Sequence, residues 1–214
     1  MLRWRHCLAA GLLALGATGA QAAPIDDLVL AAEFNDPRSI ARLLTTGLDP
    51  NLPDGRGRTA IFTALSEGAS AAVEALLASP QLDPNLANAS GETPLMLAAI
   101  RGNLVAARAL VKRGAAVNRP GWSPLHYAAS GPDGGVTAFL LAQGAEVNAR
   151  SPNGTTPLMM SARYGSSEIT PQLLKAGADA RLKNELGLTA ADFARQSGRD
   201  RDAVELDRLA SQVR

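Results

Sequence analysis

Residues 91–118 read GETPLMLAAIRGNLVAARALVKRGAAVN, and the fold can be predicted from the pattern of this segment. Thr93 can cap a helix N-terminus by accepting from free backbone N–H groups, and Pro94 follows at the position where a missing N–H is tolerated. The short alanine-rich segment after Pro94 predicts a helix that ends in a left-handed turn at Gly102. Apolar residues three and four positions apart then predict a second helix, which ends at Gly114. The stretch therefore predicts two short helices joined by a tight turn.

The same pattern recurs along the chain with a period near 33 residues. Intervals of 33, 34, 30, 33 and 33 residues separate six equivalent positions: Asp26, Thr59, Thr93, Ser123, Thr156 and Thr189. Each of the first five is followed by an apolar pair in the second helix: Leu43–Leu44, Leu76–Leu77, Leu110–Val111, Leu140–Leu141 and Leu173–Leu174. A polar segment such as 148–154 then leads into the next copy and predicts a hairpin-like finger. A fixed period of this length is typical of a repeat architecture.

One copy cannot fold alone, because ordering each residue costs about 1–2 kcal/mol and two short helices bury few side chains. Stacked copies bury their alanine faces and leucine pairs against each other, and each buried leucine contributes about 1.5–3 kcal/mol. The sequence therefore predicts an all-α solenoid of six stacked helix-turn-helix units with short finger hairpins. The predicted units are about 26–58, 59–92, 93–122, 123–155, 156–188 and 189–214.

The repeated unit resembles the ankyrin repeat. The match is clearest at 91–118, quoted above, and at 121–130 and 139–148, which read GWSPLHYAAS and FLLAQGAEVN. The resemblance covers residues 24–214, and it implies an ankyrin-repeat domain that binds another protein and catalyses no reaction. Members of this family bind partners on the concave side of the stack, which finger tips and inner-helix surfaces form.

Several positions depart from the repeat pattern. Asp26 and Asp27 replace Thr-Pro in the first unit, and a charged helix at 201–214 follows the last, so both ends are expected to be caps. Pro132 stands where a glycine is expected, which predicts an atypical turn there. Gly165 is expected, like Gly102, to end its helix in a left-handed turn.

The N-terminus is predicted to be a secretory signal peptide, residues 1–22, cleaved after Ala22 or Ala23. Arg3 and Arg5 precede an uncharged apolar run that ends in a small-x-small site. The run is about 13 residues, shorter than the roughly 20 needed to span a bilayer, so the alternative of an uncleaved anchor is disfavoured. The short, Ala- and Leu-rich signal suggests a bacterium, and cleavage then predicts a periplasmic or secreted protein without stable membrane insertion.

The composition of the cleaved chain disfavours several functions. Removing Arg3 and Arg5 leaves 19 basic residues (21 minus 2) against 20 acidic residues, so no basic stripe for nucleic acid is expected. Cys7 is the only cysteine and is lost on cleavage, while His126 is the only histidine that remains. No metal site or cofactor is assigned, because zinc needs three or four ligands. Calcium binding by carboxylates of the turns stays open, although the alternating Asp/Asn run of an EF-hand is absent. His126 is instead expected to bond locally to the Ser123 hydroxyl, and no catalytic sequence motif is present.

Carrying the family's binding face over by repeat position selects twelve candidate residues. They are Arg56, Arg58, Glu67, Ser90, Glu92, Ile100, Arg101, Trp122, Asn153, Thr155, Arg163 and Tyr164. Trp, Tyr and Arg are enriched at interface hot spots, and the arginines could meet an acidic partner patch. Two alternatives stay open for Trp122: an exposed finger contact, or a ring folded over its neighbours.

The prediction is thus a monomeric, non-catalytic protein-binding module with a protein partner. Two other functions remain as alternatives. One is an accessory or inhibitor protein of a periplasmic or secreted enzyme or toxin. The other is an enzyme with an unrecognised site.

Overall fold

The computed structural model describes residues 19–212, and the regular secondary structure of that part is entirely helical. Twelve helices follow one another as six pairs. They are α1 (Gly19–Glu33), α2 (Pro37–Thr45), α3 (Ala60–Glu67), α4 (Ser70–Ala78), α5 (Pro94–Ile100), α6 (Leu104–Lys112), α7 (Pro124–Ala129), α8 (Gly135–Ala142), α9 (Pro157–Tyr164), α10 (Ile169–Lys175), α11 (Ala190–Gln196) and α12 (Asp200–Gln212). The predicted architecture of six stacked helix-turn-helix units is confirmed.

The first helix of each pair packs against the first helix of the next pair, so α1, α3, α5, α7, α9 and α11 form one row of inner helices. The second helices α2, α4, α6, α8 and α10 form a parallel outer row. Helix α12 packs on α11 and covers the C-terminal end of the stack. This serial packing is why each unit depends on its neighbours for burial.

The predicted capping residues start the inner helices. The Thr93 hydroxyl accepts from the backbone N–H of Met96, and the Thr156 hydroxyl accepts from that of Met159. A left-handed glycine follows the outer helix α6 as expected, since Gly114 has φ +90°. Gly47, Gly144 and Gly177 follow three other outer helices in the same conformation, with φ +85°, +82° and +93°. Each finds nothing within 4 Å of a Cβ position, so these glycines are required by conformation and not by space.

The expectation for Gly165 was wrong, because its φ is −72° and its backbone is extended. A glycine is needed there for a different reason. A Cβ at this position would overlap the carbonyl oxygen of Ala129 and would lie 3.0 Å from the Cα of Ser161. Gly165 thus permits close approach between the fourth and fifth units. Gly102 does adopt the predicted left-handed conformation, with φ +67°.

The core consists of small and branched apolar side chains along the interface of the two helix rows. Alanines such as Ala64, Ala98 and Ala129 are buried between inner helices, while Leu76, Leu110 and others fill the space to the outer row. Small side chains let the inner helices approach one another, and the leucines supply the larger apolar area. Successive units therefore share one continuous core.

The fingers are tight turns closed by backbone hydrogen bonds. The N–H groups of Asp54, Asn88, Ser151 and Asn184 donate to the carbonyls of Arg58, Glu92, Thr155 and Leu188, at 2.8–3.0 Å. Side chains of the same turns add further bonds, as when the Asp54 carboxylate accepts from the N–H groups of Arg56 and Arg58. The predicted finger hairpins are present without strand pairing in the described part of the chain.

Most of the predicted signal peptide, residues 1–18, lies outside the described residues, and its cleavage remains a prediction. Within residues 19–212, no helix has both the length and the apolar character needed to cross a bilayer.

Candidate partner-binding groove

The finger turns and the exposed side of the inner helices form one surface, which we call the groove. At its centre lies a depression of about 480 Å³. Helices α5, α7 and α9 supply most of its lining, so it spans the third, fourth and fifth units. Its lining residues, which define the aromatic pocket, are Glu92, Ile100, Trp122, His126, Tyr127, Ser130, Met160 and Tyr164.

The Trp122 side chain packs over a neighbour and is also partly exposed, so each of the two alternatives that the sequence left open holds in part. Its indole meets the His126 ring edge-on, with ring centroids 5.2 Å apart and an interplanar angle of 75°. The residue is half-buried and still lines the aromatic pocket. Trp122 is therefore held by its neighbours while part of its ring stays available to a partner, an arrangement suited to a rigid aromatic anchor.

His126 lies fully buried beneath Trp122 and links two units. Its Nδ1 is 3.1 Å from the backbone nitrogen of Ser123 and 2.9 Å from the Ser123 hydroxyl. Its Nε2 is 2.9 Å from the carbonyl oxygen of Thr155, so the neutral ring donates from Nε2 and accepts at Nδ1. Burial lowers the pKa of His126 below its ordinary value of 6.5, while the bond to Thr155 opposes that shift. The predicted local bond to Ser123 is confirmed.

Tyr127 and Glu92 form a polar pair on the pocket wall. The Tyr127 hydroxyl donates to Glu92 Oε1 at 3.2 Å, and Asn88 Nδ2 donates to Glu92 Oε2 at 2.9 Å. Burial, followed by the nearby Glu92 charge, raises the pKa of Tyr127 to about 12. Tyr127 therefore stays a neutral donor at physiological pH, and both Glu92 oxygens already accept a hydrogen bond.

Three guanidinium groups surround the pocket. Arg101 follows the lining residue Ile100, is exposed, and has no side-chain hydrogen bond or ion pair within residues 19–212. The guanidinium of Arg163 stacks 5.2 Å from the ring centre of Tyr164 and donates to Gln196 Oε1 at 3.1 Å. Arg119 Nη1 donates to the carbonyl of Gly91 at 2.7 Å, and its charge acts on Tyr127. The pocket thus has a cationic rim.

A second depression of about 530 Å³ lies toward the N-terminal end of the groove and includes the predicted residues Arg58 and Glu67. Arg58 forms ion pairs with Asp54 and with Glu33, each at 2.9 Å, so its guanidinium is engaged within the protein. Arg56 is exposed nearby. This region has one aromatic lining residue, Phe62, against three aromatic side chains besides His126 in the central pocket.

The twelve predicted residues do not all belong to one site. Glu92, Ile100, Trp122 and Tyr164 line the aromatic pocket, and Arg101 and Arg163 border it. Ser90 and Asn153 are exposed on fingers.

Thr155 must be removed from the binding surface, because it is only 2% exposed. Its carbonyl accepts from His126 and from the N–H of Ser151, and its own N–H donates to Asn153 Oδ1 at 3.2 Å. Thr155 therefore holds the finger against the preceding unit, and its side chain leaves no surface for a partner.

Sequence reasoning missed Tyr127, Ser130, Met160 and Arg119. Two of them are one helical turn apart at α7, where Tyr127 precedes Ser130 by three residues, and on α9 Met160 precedes the predicted residue Tyr164 by four. Residues three or four apart share a helix face, so the spacing could have extended the predicted surface from its helix ends to this inner row. Arg119 lies in the finger before α7, and its bond to Gly91 of the preceding finger depends on packing between units, which the spacing does not contain.

Within residues 19–212, no group of three or more His, Cys, Asp or Glu side chains is placed to hold a metal ion. Both ring nitrogens of His126 bond to the protein's own groups. The arrangement of the groove is that of a recognition surface: a central apolar pocket, polar fingers and a charged rim.

The fold and the groove define a class of protein, and comparison with known families identifies it. Three family models described as ankyrin repeats match residues 28–77, 68–151 and 140–194. The chain belongs to the ankyrin-repeat family, whose repeats form protein–protein interaction modules.

Curated relatives share the repeats but are longer proteins. The chain is 33% identical over 157 residues to Rabankyrin-5 of Mus musculus, which corresponds to 71% of this chain and 13% of that protein. It is 40% identical over 96 residues to Ankyrin repeat domain-containing protein 37 of Bos taurus, corresponding to 42% of this chain and 59% of that protein. The chain therefore spans between about an eighth and three fifths of the length of these two relatives.

A solved structure matches almost end to end. In the structure of the predatory endopeptidase Bd0816 from Bdellovibrio bacteriovorus in complex with immunity protein Bd3460, the matched chain is the ankyrin-repeat immunity protein. The superposition has a TM-score of 0.72 at 30% sequence identity, and it covers 87% of this chain and 98% of that chain.

Proposed function

We propose that this protein is an exported, non-catalytic binding module that captures a protein partner in its groove. The aromatic pocket is the observation that carries this proposal. Trp122, Tyr127 and Tyr164 place three aromatic side chains in one depression beside Arg101 and Arg163, and these residue types dominate binding energy at interfaces.

The surroundings of His126 support a binding role in preference to catalysis. A general base must reach a substrate proton, whereas both nitrogens of this ring are committed to Ser123 and Thr155. The residue is fully buried, and burial lowers its pKa. The groove therefore offers shape and charge to a partner, with no free acid–base histidine.

The position of Pro24 supports export with cleavage. In the uncleaved chain Pro24 lies inside helix α1, where it lacks a donor for the helical ladder and crowds the carbonyl of residue 20. Cleavage after Ala22 or Ala23 leaves Pro24 as the second or first residue, a position where proline suits a helix start. We expect the mature protein in the periplasm, with a new N-terminus at Ala23 or Pro24. Intact Met1 on protein isolated from the cytoplasm would contradict this.

The binding proposal is tested by cross-linking and affinity capture from periplasmic extract. A variant carrying Trp122→Ala and Arg101→Ala is expected to lose the principal partner while keeping its circular dichroism spectrum and urea midpoint. The matched control carries Val204→Ala and Arg201→Ala, which removes an exposed apolar residue and an exposed arginine from α12 instead of the groove. Equal capture by both variants would place the binding face elsewhere.

A second, narrower candidate function is inhibition of the captured partner. The observation that favours it is the end-to-end match to an immunity protein solved in complex with an endopeptidase. We propose that the partner is an enzyme of the same compartment, held inactive in a stoichiometric complex. Activity of the captured enzyme should fall as the protein is added and reach its minimum at one equivalent. Full activity of the complex would leave a scaffold role. Light scattering should show a monomer before mixing.

A further inference from the structure

The residues that line the aromatic pocket indicate which kind of side chain it would bind. The lining is dominated by the rings of Trp122, Tyr127 and Tyr164 with the side chains of Ile100 and Met160. Tyr164 is 57% exposed, and Trp122 is half-buried, so apolar surface at the mouth remains open to solvent. An apolar side chain entering the pocket would remove this surface from water, which is favourable.

The charges around the pocket favour an anion. Arg101, Arg119 and Arg163 come from successive parts of the stack, and none of the three forms a salt bridge within residues 19–212. Glu92 is the only carboxylate among the lining residues. Its two oxygens already accept from Tyr127 and Asn88, so its charge is partly compensated from within the wall.

We propose that the aromatic pocket receives one apolar side chain from a segment of the partner protein in which neighbouring residues are Asp or Glu. This inference rests on the proposed binding function and specifies the partner's contact segment. The apolar side chain fills the space between Ile100, Trp122 and Tyr164. The flanking carboxylates meet Arg101 and Arg163, and guanidinium groups suit them because they can donate two parallel hydrogen bonds.

A cationic side chain, Lys or Arg, is the main alternative occupant of the aromatic pocket. Aromatic rings attract cations, and Glu92 offers a carboxylate. Three guanidinium groups at the rim oppose this, because like charges brought together cost free energy and suppress the wrong partner. The hydrogen bonds of Glu92 also leave its oxygens less available to an incoming cation.

A peptide selection distinguishes these occupants without knowledge of the partner. The full chain with Trp4→Phe is immobilised and challenged with a phage library of random 12-residue peptides. The proposal expects enriched peptides to combine a Leu, Ile, Met or Phe with two or more adjacent Asp or Glu residues. Enrichment of Lys- or Arg-containing peptides would overturn it. Equal enrichment on a Trp122→Ala, Tyr164→Ala variant would also overturn it.

A titration then places the bound peptide. Trp4 and Trp122 are the two tryptophans of the sequence, so Trp4→Phe leaves Trp122 as the only indole reporter. The enriched peptide should shift the emission of Trp122.

Replacing the peptide's apolar residue with Ala should weaken binding about 30-fold, as expected for a hot spot. Arg101→Ala should weaken it about threefold and reduce its salt dependence, as expected for an exposed charge pair. The matched control, Val204→Ala with Arg201→Ala, should change neither the peptide affinity nor its salt dependence. Tight binding of the peptide without a change in Trp122 emission would overturn the proposal.

The proposed binding function and the proposed acidic contact segment can be contradicted independently of each other. If the groove variant loses the extract partner but the selection yields basic peptides, the binding function stands and the acidic segment is wrong. If the groove variant keeps the extract partner, the binding function itself is placed on the wrong face.

Discussion

Helix α7 places two adjacent side chains in opposite surroundings. His126 borders the aromatic pocket but is fully buried beneath Trp122, where it bonds to Ser123 and to Thr155 of the next finger, whereas Tyr127 is half-buried on the pocket wall. A helix of six residues therefore builds the stack with one face and forms the groove with the other. Stability and binding are therefore expected to depend on different side chains of the same helix and to respond to different substitutions.

The neighbouring units have methionine at the position equivalent to His126. The position of His126 is occupied by Met96 in the third unit and Met159 in the fifth. Each methionine sulfur lies 3.4 Å from the N–H of its helix cap, where it accepts as Nδ1 of His126 does. Neither can reproduce the donor at Nε2 that reaches the next finger. The fourth unit thus has one inter-unit bond that methionine would remove while preserving the cap.

The largest effect is expected for His126→Ala. The change leaves a cavity, removes the acceptor of the Ser123 N–H and removes one of the two donors to the Thr155 carbonyl, and such losses together cost about 4 kcal/mol of unfolding free energy. Urea denaturation followed by circular dichroism measures it. Tyr127→Ala, on the pocket side of the same helix, is the contrast and should cost clearly less, because that side chain is partly exposed. An equal loss for both would break the distinction between the two faces.

A slightly smaller loss is expected for Gly165→Ala, on the buried side of the same junction. The added methyl would overlap the Ala129 carbonyl oxygen and force the fourth and fifth units apart, and overpacking of this kind costs about 1–3 kcal/mol. Gly177→Ala is the matched control. It has open space but a φ of +93°, so its cost of about 1 kcal/mol is conformational only. If Gly177→Ala proves the more damaging, close packing is not the reason for Gly165.

Stability should fall as the pH drops from 7 to 5, and His126 is the cause. Its folded pKa lies below the unfolded value of 6.5, so the unfolded chain takes up the proton first. The contribution is fully present above about 6.5 and is lost as the pH falls toward the folded pKa. One proton limits the slope to about 1.4 kcal/mol per pH unit.

The control for this pH dependence is His126→Met, which copies the neighbouring units. It should cost about 1 kcal/mol at pH 7, since one buried hydrogen bond is lost and the space stays filled. It should also flatten the dependence between pH 7 and 5. Carboxyl groups with lowered pKa, such as Asp54 and Asp179, titrate below this window and are common to both proteins. A slope that persists in the variant would assign the pH effect to another group.

The fold followed from the sequence because its determinants are local and repeated. The caps at Thr93 and Thr156, the glycines after the outer helices and the leucine pairs each act within one unit, and each recurs. The groove was harder to predict, because its lining depends on how neighbouring units pack. Trp122 and Tyr164 could be selected by repeat position, but the burial of Thr155 depends on contacts across units. Gly165 shows the same limit: its role comes from Ala129 in the preceding unit, which the local pattern does not contain.

The smallest change in stability is expected for Tyr127→Phe, which deletes only the hydroxyl that donates to Glu92. The bond is 3.2 Å long and half-exposed, so its loss should cost about 0.5 kcal/mol. Because the pKa of Tyr127 is raised to about 12, its neutral form is favoured in the folded protein. Its contribution is fully present below the unfolded value of 10.0 and is lost only as the pH rises toward 12. Wild type and variant should therefore keep a constant difference in urea midpoint from pH 7 to 9. A difference that grows within that range would show that the folded protein lowers the pKa of Tyr127 below its ordinary value, contrary to the raised pKa that its contacts indicate.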